Sequence, residues 1–395
     1  MKDEIKREAD SIHRKLIAIR RDLHEHPELA YEEKRTASVV AKTLKSLGLR
    51  VRTGIAKTGV VAALKGKSPG AVIALRADLD ALPITEQNDV PYRSKTSGKM
   101  HACGHDVHTA NVIGAAIILS RIKDAFDGSV LFVFEPSEER NPGGASLMLK
   151  EGALAGVDAI FGLHVYTRSK AGTLGFRSGP MMAAADELEI TVKGKGGHGA
   201  RPQATVDPIV VASQVVLALQ TVVSRGVNPL HPVVLTIGKI QGGSAQNVIP
   251  DDVQLVGTLR TTDSNTRERT HKLIRRTVAG VCSSAGASFH LVISRGNPPL
   301  INDPMETDFA RGRAEEYVGS RNVFEADQVM GGESFAYFLE KIPGTFFRLG
   351  VVNRRKGFVH DVHTPWFDVD EEAIRVGSGF FAYLAYEYLK RPRGR

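Results

Sequence analysis

The chain has 395 residues, 42% of them hydrophobic and 24% charged, with a formal net charge of +8. That length exceeds the size at which one core keeps growing, so two domains are expected; the ordinary composition excludes a disordered, collagenous or disulfide-stapled chain. Basic residues are interleaved with acids, as in Lys2-Asp3-Glu4-Ile5-Lys6-Arg7-Glu8, and cluster only at Arg354-Arg355-Lys356 and in the tail 390–395. This reads as a solvated surface that helps anionic substrates arrive, with no nucleic-acid partner. Two cysteines give no disulfide framework, the N-terminus lacks an apolar signal core, and no run approaches a membrane span. A cytoplasmic protein with no membrane partner is the expectation.

Residues 3–24 carry Ile5, Ala9, Ile12, Leu16, Ile19 and Leu23 at helical spacing and predict an amphipathic helix. It runs into His24-Glu25-His26-Pro27-Glu28-Leu29, where Pro27 breaks it. A second helix is predicted over 36–47, stopped by Gly48, followed by short strands at 51–52 and 59–65. Four later segments share one form: 72–75 leads into Asp78 and Asp80, 130–134 into Glu138 and Glu139, 159–163 into His164, and 345–349, after a loop, into His360-Asp361-Val362-His363. Each is a short apolar run that ends in acids or histidines, as in strands buried on both faces. Helical patterns at 109–122 and 144–152 separate the first three, which is the signature of an α/β sheet. In such sheets ligands gather beyond the carboxyl ends of the strands.

The stretch His101-Ala102-Cys103-Gly104-His105-Asp106-Val107-His108 gathers three imidazoles, a thiol and a carboxylate in eight positions. These donors suit borderline-soft divalent metals, and Gly104 lets the backbone turn so that Cys103 and His105 converge. The expectation is a metal centre at the start of a helix, with the missing ligands drawn from the strand ends. Buried thiols and satisfied histidines are the bland alternative, and it explains one such residue better than five.

Between about 183 and 295 the pattern changes to β-α-β-β-α-β, with strands near 188–192, 233–240, 253–261 and 289–294 and helices over 206–223 and 265–285. That order predicts an inserted ferredoxin-like α+β domain over 183–295, within a discontinuous domain of 1–182 and 296–395. Cys282 reads as an apolar filler of the second helix. The loop Gly194–Pro202 lacks the ending of a phosphate loop; His198 and Arg201 in it, and Asn247 in the loop 241–250, are polar candidates for ligand binding.

Several of these motifs together, Asp22–Leu29, Leu75–Ile84, Met100–His108, Gly197–Pro202, Asn247–Asp251 and His363–Asp368, resemble the dinuclear metallopeptidases of the aminoacylase and glutamate-carboxypeptidase family. More narrowly they resemble its amidohydrolase branch of N-acyl-amino-acid, hippurate and auxin-conjugate hydrolases. The resemblance implies a zinc-peptidase-like catalytic domain with a mixed sheet flanked by helices, plus an inserted lid or dimerisation domain. It implies two divalent ions, zinc or manganese with cobalt and nickel open, held by Cys103, His105, Glu139, His164 and His363. Cys103 would bridge as thiolate, with His105 and His164 on one ion and Glu139 and His363 on the other. Glu138 matches the family's general base, pointing away from Glu139 if the backbone is extended. Asp80 matches an acid that orients the ligands, and His198 a lid histidine that stabilises the transition state.

The implied reaction is metal-dependent hydrolysis of the amide of an N-acyl amino acid, with carboxypeptidase or dipeptidase action on the same scaffold as the alternative. Arg201 and Asn247 are candidates for the substrate, and a dimer or tetramer is implied. Two departures, Glu135-Pro136 for the usual Gln-Pro and Gly332-Glu333-Ser334-Phe335 for the usual Ser-Glu-Asp-Phe, spare the ligands and bear on substrate preference. A nucleic-acid-binding protein fits less well because the charges are interleaved and basic-aromatic motifs are lacking, and a non-catalytic metal receptor because it has no need of Glu138.

Overall fold

The structure is a computed structural model describing residues 1–391; residues 392–395 of the basic tail lie outside the described residues. Two compact units are present. The first comprises Met1–Gly179, Asn302–Asp327 and the chain from Tyr337 onward; the second comprises Pro180–Ile301 and Gln328–Ala336. The sequence pattern puts 296–301 and 328–336 with the catalytic part. They join the second unit because backbone bonds tie them to it: Val329 N–H donates to Met181 O, Ala183 N–H to Gly331 O and Ala185 N–H to Asn297 O.

The inner strands of the first unit are too apolar to leave either face in water, whereas its edge strand Arg50–Ile55 is largely exposed. β1 (Arg50–Ile55), β2 (Gly59–Lys65), β3 (Val72–Asp78), β4 (Ser129–Glu135), β5 (Ala159–Lys170) and β6 (Leu174–Phe176) join two late strands, Val323–Glu325 and Gly344–Val352. Together they form one eight-stranded mixed sheet in the order β1, β2, β4, β3, β5, Gly344–Val352, β6, Val323–Glu325. Its central four strands, β4, β3, β5 and Gly344–Val352, are mutually parallel. Arg76 lies opposite Gly162 and Arg348 opposite His164, so the four carboxyl ends emerge along one edge. These are the four segments whose sequences end in acids or histidines.

Helices flank this sheet. α1 (Lys2–Glu25) buries Ile5, Ala9, Ile12, Leu16 and Leu23, but also Arg20 and His24. α2 (Lys34–Ser46) is likewise amphipathic. α3 (His105–Arg121) is buried through its first fifteen residues, as expected of a helix that is apolar on every side. At Gly114 an added Cβ would lie 2.5 Å from Ser378 Cβ and 2.7 Å from Leu16 Cδ1. This glycine therefore sets how closely α3 packs on α1 and on the C-terminal helix Glu372–Leu389.

The second unit is a ferredoxin-like sandwich. Its strand Ala184–Lys193 pairs antiparallel with Asp252–Thr261 and Ser288–Arg295, and Asp252–Thr261 pairs with Val233–Gln241 at the edge. Helices Pro208–Thr221 and Ser264–Ser284 share its core, which includes Leu188, Ile190, Val215, Ile274 and Cys282. By length and composition alone the helix Pro208–Gly226 passes as membrane-length. Its apolar residues occupy two faces. Val211, Ala212, Val215 and Leu219 fill the unit's own core, while Val210 and Leu217 are exposed.

Replacing Gly114 with Val should destabilise the protein by about 1–3 kcal/mol through overpacking, read as a lowered urea midpoint with unchanged slope.

Candidate metal centre

Each donor is placed by an identifiable local cause. Gly104, at φ +83°, caps α3, and a Cβ there would lie 2.7 Å from Val165 Cγ2, so only glycine allows the turn that brings Cys103 beside His105. His105 is the first residue of α3, whose positive dipole end faces the acids around it. His164 lies on β5, and its Nδ1 is 2.8 Å from the Val165 carbonyl. A proton on Nδ1 leaves Nε2 as the open donor, 3.3 Å from Cys103 Sγ. His363 adopts φ +62°, uncommon for a residue with a Cβ, and its N–H donates to Ala102 O at 2.7 Å.

The donor atoms of Cys103, His105 and His164 lie within 4.8 Å of one another, and so do those of Cys103, Glu139 and His363. Cys103 Sγ belongs to both groups. Burial runs across the pair: Cys103, His105 and His164 are buried, Glu139 is half-buried, and the His363 side chain is 52% exposed. His363 Nε2 stands 3.2 Å from Glu139 Oε1.

Glu138 differs from the expectation of two side chains on opposite sides of an extended strand. β4 ends at Glu135, and the chain bends through Ser137, which has φ +54°. Glu138 and Glu139 both reach His105, all three donor atoms lying within 4.8 Å. Asp80 holds that bend: its two oxygens accept the N–H groups of Glu138 and Glu139, each at 3.0 Å. Glu33, not singled out from sequence, holds it from below, accepting Ser137 N–H at 2.8 Å, Tyr31 N–H at 2.9 Å and Thr58 Oγ1 at 2.5 Å.

The electrostatics fit divalent cations. Burial pushes the His105 imidazole down, but Asp78, Asp80 and Cys103 outweigh it and hold it well above its ordinary value. A pocket that keeps a buried imidazole protonated has an excess of negative charge, which a metal ion satisfies equally. Asp80 Oδ1 stands 3.3 Å from His105 Nδ1. Burial, His108 and Arg348 push His164 well below its ordinary value, which keeps its imidazole neutral. In a third group, Asp78, His105 and His108, the donors of Asp78 and His108 are already paired. His108 Nδ1 is 2.6 Å from Asp78 Oδ1, its Nε2 accepts Val165 N–H, and Asp78 Oδ2 accepts from Arg76.

The second unit's candidates share one loop pair. His198 lies opposite Val248 in a two-residue ladder, Gly199 N–H donates to Asn247 O, and Arg201 N–H donates to His198 O. His198, Arg201 and Asn247 are all exposed. Ala200 N–H donates to His198 Nδ1 at 3.0 Å, which puts the ring proton on Nε2 and makes that atom a donor.

Residues 74–387 match the family described as peptidase family M20/M25/M40. The chain belongs to this family. It is 43% identical over 385 residues to N-acetyl-L-cysteine deacetylase of Bacillus subtilis, covering 96% of this chain and 89% of that protein. It is 38% identical over 393 residues to thermostable carboxypeptidase 1 of Saccharolobus solfataricus, covering 98% and 99%. A solved structure of a dinuclear metal-binding M20 peptidase from Bacillus subtilis has a TM-score of 0.85 at 38% identity, covering 96% of this chain and 99% of that one. As an M20 member, the protein is a metal-dependent hydrolase of amide C–N bonds.

Burial and the Glu139 carboxylate push the Cys103 thiol well above its ordinary value, against the pull of His105. The thiol is therefore protonated near neutral pH without metal, and an ion must displace that proton. Metal affinity should rise with pH and binding at pH 7 should release about one thiol proton. Calorimetric titration in two buffers of different ionisation enthalpy counts every proton released, that of His105 included, and Cys103→Ser should lower the count by about one.

Proposed function

We propose that the protein hydrolyses the amide bond of N-acyl amino acids, with two divalent ions held by Cys103, His105, Glu139, His164 and His363. The observation that carries this reading is the pair of donor triads sharing Cys103 Sγ, with the further carboxylate of Glu138 beside them. In the assignment we favour, Cys103 would be shared between the two ions, with His105 and His164 to hold one and Glu139 and His363 to hold the other. When bound, the ions supply polarisation of the scissile carbonyl and a water acidified from ~16 toward ~7. Thiolate and imidazole donors favour zinc, and the carboxylate leaves manganese, cobalt and nickel open.

The chain's own residues divide the remaining work. Glu138 takes the water proton and returns it to the leaving nitrogen, a base contribution of about 10²–10⁴-fold. Asp80 keeps Glu138 and Glu139 in register through their peptide N–H groups. His198 Nε2–H donates to the developing oxyanion, and Arg201 or Asn247 receives the substrate carboxylate. The N-acetyl-L-cysteine deacetylase relative supports the acyl-amino-acid class over the carboxypeptidase alternative.

We assign the second unit's exposed apolar surface to a second copy of the chain. Val233–Gln241 leaves one edge of its ladder open, and beside it a groove of about 390 Å³ is lined by Leu217, Ile237 and Ile240. An open strand edge can pair with its own symmetry mate. Two free thiols, Cys103 and Cys282, support a reducing cytoplasm.

The test is hydrolysis of a panel of acyl amino acids and dipeptides after chelation and metal add-back. Activity should vanish, return with metal, and favour the acyl amino acids. Glu138→Gln should keep both ions and lose about 10²–10⁴-fold in kcat; a full-rate variant removes Glu138 from the mechanism. His198→Ala should lower kcat with metal content intact, and loss of metal in that variant would contradict its role.

A further inference from the structure

The motif that opens the chain, Asp22–Leu29, is used by none of the chemistry above, yet α1 carries two buried charged residues just there. Arg20 is 0% exposed. Its Nε donates to Asp106 Oδ2 and its Nη2 to Asp368 Oδ1, each at 2.8 Å. Asp106 immediately follows His105, and Asp368 lies five residues beyond His363. One guanidinium thus joins the segment carrying a donor of the first triad to the segment carrying a donor of the second.

Each end of this link is fixed in turn. Asp106 also meets His24 Nδ1 at 2.8 Å and takes Val107 N–H at 3.0 Å. Asp368 takes Tyr92 Oη at 2.7 Å and Val369 N–H at 2.8 Å. The Tyr92 ring lies 5.0 Å from the Arg20 guanidinium carbon. Buried ion pairs seldom add stability over an apolar filling of the same volume, so stability alone is weak ground for this network. Directional hydrogen bonds to two remote segments supply what an apolar filling lacks, a fixed distance between them.

We propose that Arg20 is a positioning residue for the metal centre, setting the separation of His105 and His363 by clamping Asp106 to Asp368. The proposal rests on the ligand assignment above. Lysine retains the charge at position 20 but has no planar fork with which to hold both carboxylates.

The experiment compares wild type, Arg20→Lys and His363→Ala, reading metal content, chelator-competition affinities and the spectrum of the cobalt-loaded proteins. Arg20→Lys is expected to fold, to hold its weaker ion about 10–100-fold less tightly, to alter the thiolate–cobalt absorption, and to lower kcat while KM holds. Wild-type affinities and an unchanged cobalt spectrum, even with reduced thermal stability, would overturn the proposal. If Arg20→Lys does not fold, the double variant Arg20→Met/Asp368→Leu removes both charges together and carries the same expectation and the same refutation. His363→Ala separates the two levels: loss of one ion upholds the ligand assignment, so that a normal Arg20→Lys then refutes the clamp alone. Retention of both ions in His363→Ala overturns assignment and clamp together.

Discussion

The bond from His363 N–H to the Ala102 carbonyl is the constraint on which the centre depends. It joins chain positions on either side of the whole second unit, and it lies one residue from Cys103. Without it, a loop donor at position 363 would have no reason to share space with a thiol at 103. The strained φ of His363 is held in place by such bonds, and strain of this kind persists only where surrounding structure over-determines it.

The parallel strands do the coarser positioning. β3, β4, β5 and Gly344–Val352 run the same way, so Asp80, the Glu138–Glu139 bend and the loop to His363 follow strand ends on the side where His164 stands within β5. Finer placement comes from acids that accept backbone N–H groups. Asp80 takes two from the glutamate bend, and Glu33 takes one at Ser137. Burial pushes Glu33 above its ordinary value, while its hydrogen bonds from Thr58 and the backbone pull the other way.

Much of this was legible in the sequence because it is periodic or compositional. Apolar runs that end in acids or histidines mark buried strands with functional ends, and Cys-Gly-His marks a turn into a helix. The β-α-β-β-α-β order of the insertion is visible for the same reason. The bend at Ser137 was not legible, since a left-handed serine has no periodic signature, and extending the strand through it sends Glu138 to the wrong side. The role of Arg20 was readable only in part. Its position, four residues after Leu16 on the apolar stripe of α1, marks it as buried, but its partners at 106 and 368 are set by tertiary structure. The helix Pro208–Gly226 shows the opposite failure: its apolar residues cover two faces, so length and composition do not separate a membrane span from a helix with a core on one side and an exposed apolar face on the other.

The first unit's sheet is closed only by Gly344–Val352, which lies between β5 and β6. During synthesis the inserted unit can therefore fold while its host is still missing an interior strand and the donor that follows it. Domains emerge and fold in chain order, so the donor set stays incomplete until the chain has emerged past His363. Placing His363 after the insertion postpones assembly of the donor set until the second unit has been made.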